Sequence, residues 1–140
     1  MLNAFVLPLA LLLLPCQDAE SFWNSGKEKF GNKDYDGAIA DFTKVIELAP
    51  KFVPAYTVRA LAKDGKGDLD GAIADYTRAL GLEPSADLYS RRGYAKDRYG
   101  DVAGAVADYT KAIDRDPKNA DRYSSRGFAY FRLKDFDAAI

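Results

Sequence analysis

YDGAIADFTKVIELAP (35–50), LDGAIADYTRALGLEP (69–84) and VAGAVADYTKAIDRDP (102–117) are three versions of one segment, and reading them decides the fold. Apolar and small residues recur in them at spacings of three and four, which is the period of a helix. Ala38 and Phe42 stand four apart and Val45 follows three later, so all three share a face. On that face the alanine admits close approach and the ring fills the space beside it. Asp34, Asp68 and Asp101 fall just before each segment, where a carboxylate accepts the unpaired N–H groups of a helix start, and Asp135 holds the same place further on. These aspartates read as caps, not catalysts. Each segment closes on a proline, Pro50, Pro84 or Pro117, which cannot continue the helix.

Aligned on these segments, the rest of the chain falls into one register. Phe22, Tyr56, Tyr89 and Tyr123 recur at intervals of 34, 33 and 34, as do Gly26, Ala60, Gly93 and Gly127 and then Ala38, Ala72, Ala105 and Ala139. The aromatic and the small residue four places later mark another helix ahead of each segment, followed by a turn expected at Gly31-Asn32, Gly65-Lys66-Gly67 or Gly100. Each unit is therefore a helical hairpin. The units span 19–52, 53–85, 86–119 and a partial 120–140, in which a second helix is only begun at Asp137.

These columns resemble the tetratricopeptide repeat of bacterial-type proteins, over the chain from about Ala19 onward. The resemblance implies an all-α fold, a right-handed superhelical solenoid of antiparallel helix pairs with three complete repeats and one truncated repeat. The first helix of each pair would line its concave side. It also implies a scaffold that binds a protein or peptide in that groove. The chain departs from the family pattern at two places in the first helix. Ser25, Arg59, Arg92 and Arg126 stand where leucine is common, and Lys29, Lys63, Lys96 and Tyr130 where an aromatic is frequent. Arg59, Arg92 and Arg126 follow Asp41, Asp75 and Asp108 of the preceding unit by 18, 17 and 18 residues, whereas Ser25 has no such aspartate before it. The expected arrangement is a ladder of arginine–carboxylate pairs between repeats.

The 140 residues are 48% hydrophobic and 29% charged, a balance that excludes disordered and collagen-like chains. With a formal net charge of −1, nothing draws a nucleic acid or an anionic membrane at long range. Histidine is absent and Cys16 is the only cysteine, which removes the commonest general base and the usual metal ligands. Tyrosines, serines and aspartates recur once per unit, as fold residues do, whereas a catalytic set should occur once. The expectation is no enzyme, no cofactor and no metal.

Ala4 to Cys16 is an uncharged apolar run of 13, the length of a signal-peptide core and short of the roughly 20 residues needed to span a membrane. Residues 1–18 are expected to be a signal peptide, with export to the periplasm or the medium. A helix of a buried core is the alternative. Leu13-Leu14-Pro15-Cys16 also resembles a lipoprotein box, which would lipidate Cys16 and anchor the chain.

The candidate groove is the stripe of each first helix offset from its packing face: Trp23 and Lys27, Leu61, then Arg91, Tyr94 and Arg98, then Phe128 and Arg132. It mixes aromatics with charge, as a peptide surface does. Ordinary packing of Trp23, Tyr94 and Phe128 at helix junctions is the competing account. Some relatives hold a chaperone's C-terminal carboxylate with lysines, asparagines and an arginine. The corresponding places here carry Trp23, Lys27, Val58, Asp87 and Arg91, so only Arg91 keeps its expected type. Two other readings stay open: a repeat region of a longer exported protein whose activity lies elsewhere, and a structural spacer without a ligand. Phe128, Tyr130, Phe131 and Phe136 sit in the partial hairpin, where incomplete cover points to self-association or fraying.

Overall fold

The computed structural model describes residues 7–138, with side chains from 17 to 134. Seven helices follow one another: α1 (Leu7–Gly31), α2 (Tyr35–Leu48), α3 (Val53–Lys66), α4 (Leu69–Leu82), α5 (Ala86–Tyr99), α6 (Val102–Arg115) and α7 (Ala120–Ala138). Each packs on the next in sequence, so the architecture is a stack of hairpins, as the sequence period requires. The first residues of the apolar run, Ala4 to Val6, and the Cys16 side chain lie outside the described residues. From Leu7 the backbone is helical without a break across Ala19.

Short-range chemistry fixes the turns. Asp34, Asp68 and Asp101 accept hydrogen bonds from the backbone N–H groups of Gly37, Gly71 and Gly104 at 3.0, 2.9 and 2.9 Å. The glycine is part of the cap, because a Cβ there would come within 2.3, 2.2 and 2.0 Å of the capping carboxylate. Ahead of the cap, Gly67 and Gly100 turn the chain at φ 91° and 103°, in the left-handed region that glycine tolerates. Lys33 does the same in the first hairpin at φ 62°. Gly104→Ala should therefore gain nothing from alanine's helix preference of up to about 1 kcal/mol, since its methyl displaces the cap. A melting temperature several degrees above wild type would contradict this.

Two expectations for the turns need correction. Gly65 does not turn the chain; it lies inside α3, and a Cβ on it would sit 2.6 Å from the Tyr35 ring, so its smallness serves packing. No turn or cap forms at Asp135, through which α7 runs to Ala138. Lys134 stands where Gly67 and Gly100 stand, and Ala138 where Gly37, Gly71 and Gly104 stand. Neither glycine needed to turn and cap is present there. The onward helix expected through Ile140 lies partly outside the described residues.

One ring anchors each complete hairpin. Phe42, Tyr76 and Tyr109 are buried against Gly26, Ala60 and Gly93 of the paired first helix. The fit is closest at Gly26, where a Cβ would stand 2.7 Å from the Phe42 ring. Burial raises the Tyr76 and Tyr109 hydroxyls to about 12, with Asp64 adding to the shift for Tyr76 and Asp97 for Tyr109. These phenols stay protonated and act as packing groups.

Beside each ring lies a buried aspartate, and it decides what the unusual first-helix residues do. Arg59 grips both oxygens of Asp75 at 2.8 and 2.7 Å, and Arg92 grips Asp108 at the same distances. Lys63 and Lys96 add ion pairs of 2.9 and 3.0 Å to the same carboxylates. In the first hairpin Asp41 accepts from Ser25 at 2.6 Å and Lys29 at 2.7 Å. The expected ladder between repeats is thus corrected: the carboxylate belongs to the arginine's own hairpin. What crosses the junction is a weaker bond, from Arg59 to Thr43 and from Arg92 to Thr77, each 3.0 Å. No second helix precedes α1 among the described residues, and Ser25, too short to bridge, bonds to Asp41 alone.

Candidate functional site

The first helices α1, α3, α5 and α7 share a side that the second helices leave open. Successive members are joined there by ion pairs: Asp64 with Arg98, and Asp97 with Arg132 at 2.6 Å. A third link runs from Arg122 to Asp87 at 2.6 Å, and Arg122 also pairs with Asp116. This is where arginine–carboxylate pairs do connect repeats, and they involve two of the groove candidates. Arg98 and Arg132 are spoken for by carboxylates. A ligand drawing on their charge would have to compete with Asp64 and Asp97.

Between α1, α3 and α5 the surface opens into a cleft of about 480 Å³. Trp23, Val53, Pro54, Val58 and Leu88 give it apolar walls; Glu83, Asp87 and Arg91 stand around it. Arg91 is exposed and forms no ion pair with a carboxylate among the described residues. A smaller cleft of about 180 Å³ lies between α5 and α7, lined by Ser90, Tyr94, Tyr109 and Arg122 among others.

The candidates divide into two sets. Trp23 is half-buried, its ring 5.6 Å from Phe42 and 5.2 Å from Phe52, with the Lys27 ammonium 5.6 Å above it. It is a packing residue with one edge on the cleft. Leu61 is half-buried as well. Tyr94 and Phe128 are 54% and 61% exposed, too open to be core. The Arg98 guanidinium lies 5.7 Å over the Tyr94 ring, so that aromatic is held in place from one side and free on the other. The cleft thus brings Trp23 and Arg91 together, while Tyr94 lines the smaller one; neither cleft includes Phe128. The sequence reading overlooked Pro54 and Leu88. Pro54 stands three residues before Thr57 on one helix, and Leu88 three before Arg91, and that spacing would have placed them on the same face.

Residues 24–87 match a family model described as Tetratricopeptide repeat, and residues 99–134 one described as TPR repeat. The chain belongs to the tetratricopeptide repeat family. Among solved structures, this repeat protein is 27% identical to the first TPR of Spaghetti (RPAP3) bound to the HSP90 peptide SRMEEVD, with a TM-score of 0.78 over 84% of this chain and 94% of that one. It is 25% identical to MamA, with a TM-score of 0.79 over 89% and 74%. The TPR2B domain of yeast Sti1, solved in a complex with pHsp70, is 24% identical, with a TM-score of 0.76 over 83% and 98%. No curated protein matches the chain. In this repeat protein the described residues include no cluster of three or more metal-ligating side chains and no helix long and apolar enough to cross a membrane.

Proposed function

We propose that the chain is a non-catalytic scaffold that binds a peptide along the side lined by its first helices. The observation that supports this most is the apolar cleft between α1, α3 and α5 with unpaired Arg91 at its wall. Apolar walls supply affinity by desolvation, and a single free cation supplies register. The Spaghetti domain was solved with an acidic peptide. Here Val58 and Asp87 occupy places where a carboxylate clamp carries donors, so the ligand differs in how it presents charge. The fitting ligand is an extended segment with apolar side chains for the cleft and one carboxylate for Arg91.

Panning a random peptide library on the full chain tests the reading, with Trp23 emission as a label-free report of occupancy. Arg91→Ala and Tyr94→Ala should each weaken a recovered peptide by about 1–3 kcal/mol, and Arg91→Ala should also reduce the salt dependence. Phe128→Ala reports whether the surface continues onto α7. Lys44 and Lys111, exposed on second helices, should matter little. Affinity that ignored the first three variants and followed the lysines would place the working surface on the other side.

Export belongs to the same proposal and rests on the apolar run before Asp18. Cleavage near Ala19 would leave Trp23 and Gly26 in place against Phe42. Intact mass after expression in a secreting host should show a start near Glu20. A full-length cytosolic product would refute this, and a diacyl mass on Cys16 would replace it with the anchored form.

A further inference from the structure

In each complete hairpin the second helix offers an aspartate followed at once by an aromatic: Asp41-Phe42, Asp75-Tyr76 and Asp108-Tyr109. The first helix receives this pair in a fixed way, the ring on a small residue and the carboxylate on the cation one place before it. A Cβ on Gly26 would lie 2.7 Å from Phe42, and one on Gly93 3.1 Å from Tyr109. Arg59 and Arg92 take the carboxylates through two bonds each.

Helix α7 carries the receiving half in the same register, as Arg126, Gly127 and Tyr130. No described atom lies within 4 Å of where a Gly127 Cβ would stand. Arg126 reaches only Thr110, at 3.5 Å, and stacks over Tyr123 at 5.7 Å. Tyr130, in the place of the three lysines, is 49% exposed, and Tyr123 beside it is exposed too. The opposite side of α7 is already engaged, with Ala129 buried and Leu133 packed against the α6 cluster of Val102, Ala105 and Tyr109. At about 100° per residue, Arg126, Tyr130, Tyr123 and Gly127 occupy a different face of α7 from Phe128 and Arg132.

We propose that this face of α7 is a docking site for an amphipathic helix bearing an adjacent Asp–aromatic pair, its ring seated on Gly127 and its carboxylate on Arg126. The Tyr130 hydroxyl donates to that carboxylate where lysine does so in the other hairpins. Three fits inside this chain specify the occupant: the glycine admits a flat ring, and the guanidinium selects an acid beside it. A second copy is the weaker occupant, because its own three Asp–aromatic pairs are buried in their hairpins. The site is independent of the cleft between α1, α3 and α5.

The probe is a fluorescent peptide copying residues 101–117, which comprise α6 and its cap, held helical by a staple between its outward positions 107 and 111. Titrated with the full chain, it should bind saturably in a one-to-one ratio. Asp108→Asn or Tyr109→Ala in the peptide should weaken binding at least tenfold, and neither touches the folding of the protein. Arg126→Glu or Gly127→Leu in the protein should do the same while leaving its circular dichroism unchanged. Absence of saturable binding overturns the proposal. So does binding indifferent to Gly127→Leu, which would mean that the peptide had replaced α6 in its own hairpin. A dimer of the chain alone in sedimentation, dissolved by Gly127→Leu, would make a second copy the occupant and overturn it as well.

Discussion

Replacing Asp108 by alanine will destabilise the chain by about 3 kcal/mol or more, since removing one partner of a buried ion pair strands the other. Asp108 is 2% exposed and holds both Arg92 and Lys96, so its loss leaves a guanidinium with only the Thr77 hydroxyl beside it. Burial pushes the Asp108 carboxyl up, but hydrogen bonds from Arg92 and Lys96, together with their charges, outweigh it and hold the group below its ordinary value. Asp41 is likewise held low, burial being outweighed by Lys29 and Ser25. A carboxylate depressed in the folded state contributes stability that is present above its unfolded pKa of about 3.9 and is lost as the pH falls through the folded one. The wild type should therefore weaken below about pH 4, and Asp108→Asn should show a shallower acid limb. Urea unfolding at a series of pH values measures both. A cost below about 0.5 kcal/mol, the range of an inconsequential surface change, would mean that the pair is not load-sharing in the fold. Replacing Asp108 and Arg92 together with apolar residues of similar size should restore much of the loss, because the desolvation penalty goes with the pair.

Phe42→Ala should cost about 3–5 kcal/mol, the range for emptying a buried aromatic site. Phe42 is fully buried and touches both Gly26 and Trp23, so the cavity opens under the only tryptophan, whose emission should shift to the red. Gly26→Ala supplies the complementary test. On its own it pushes a methyl into the Phe42 ring, an overpacking cost of about 1–3 kcal/mol set against alanine's helix advantage of about 1 kcal/mol. In the Phe42→Ala background the same methyl enters empty space, so it should become stabilising. A double-mutant cycle reads the change of sign. Additive effects would show that ring and glycine do not meet.

The hairpins were legible in the sequence because a period of 33 or 34 residues carried the aromatic, the small residue and the cap in one register. Three stronger facts were not. Arg59 lies between two second helices, and Asp41 and Asp75 are both at plausible distances along the chain, 18 residues before it and 16 after. Periodicity is the same for either choice, and only the packed hairpin shows that Asp75 receives the charge and Thr43 the spare N–H. Asp135 matched the capping column but lacked the two glycines that make a cap possible, Gly100 and Gly104 in the preceding unit. A column read singly misses that kind of dependence. In the candidate groove, alternation along a helix placed Arg98 and Arg132 on the open side correctly, yet could not reveal that Asp64 and Asp97 of the preceding first helices neutralise them.

Completion of the buried charge within each hairpin bears on how such a chain can lengthen or shorten over generations. A unit such as 53–85 brings its own acid with its own bases, Asp75 with Arg59 and Lys63. Copied or deleted whole, it moves no unpaired ion into or out of the interior, and the only bond it must find anew is one hydroxyl on the neighbour, as Thr43 provides. Had the carboxylates belonged to the preceding unit, every junction created by duplication would have had to match charge as well as shape. Tandem copying of this segment is thereby freed from its costliest electrostatic failure, and drift in the linking threonines is left to tune how firmly neighbouring copies hold together.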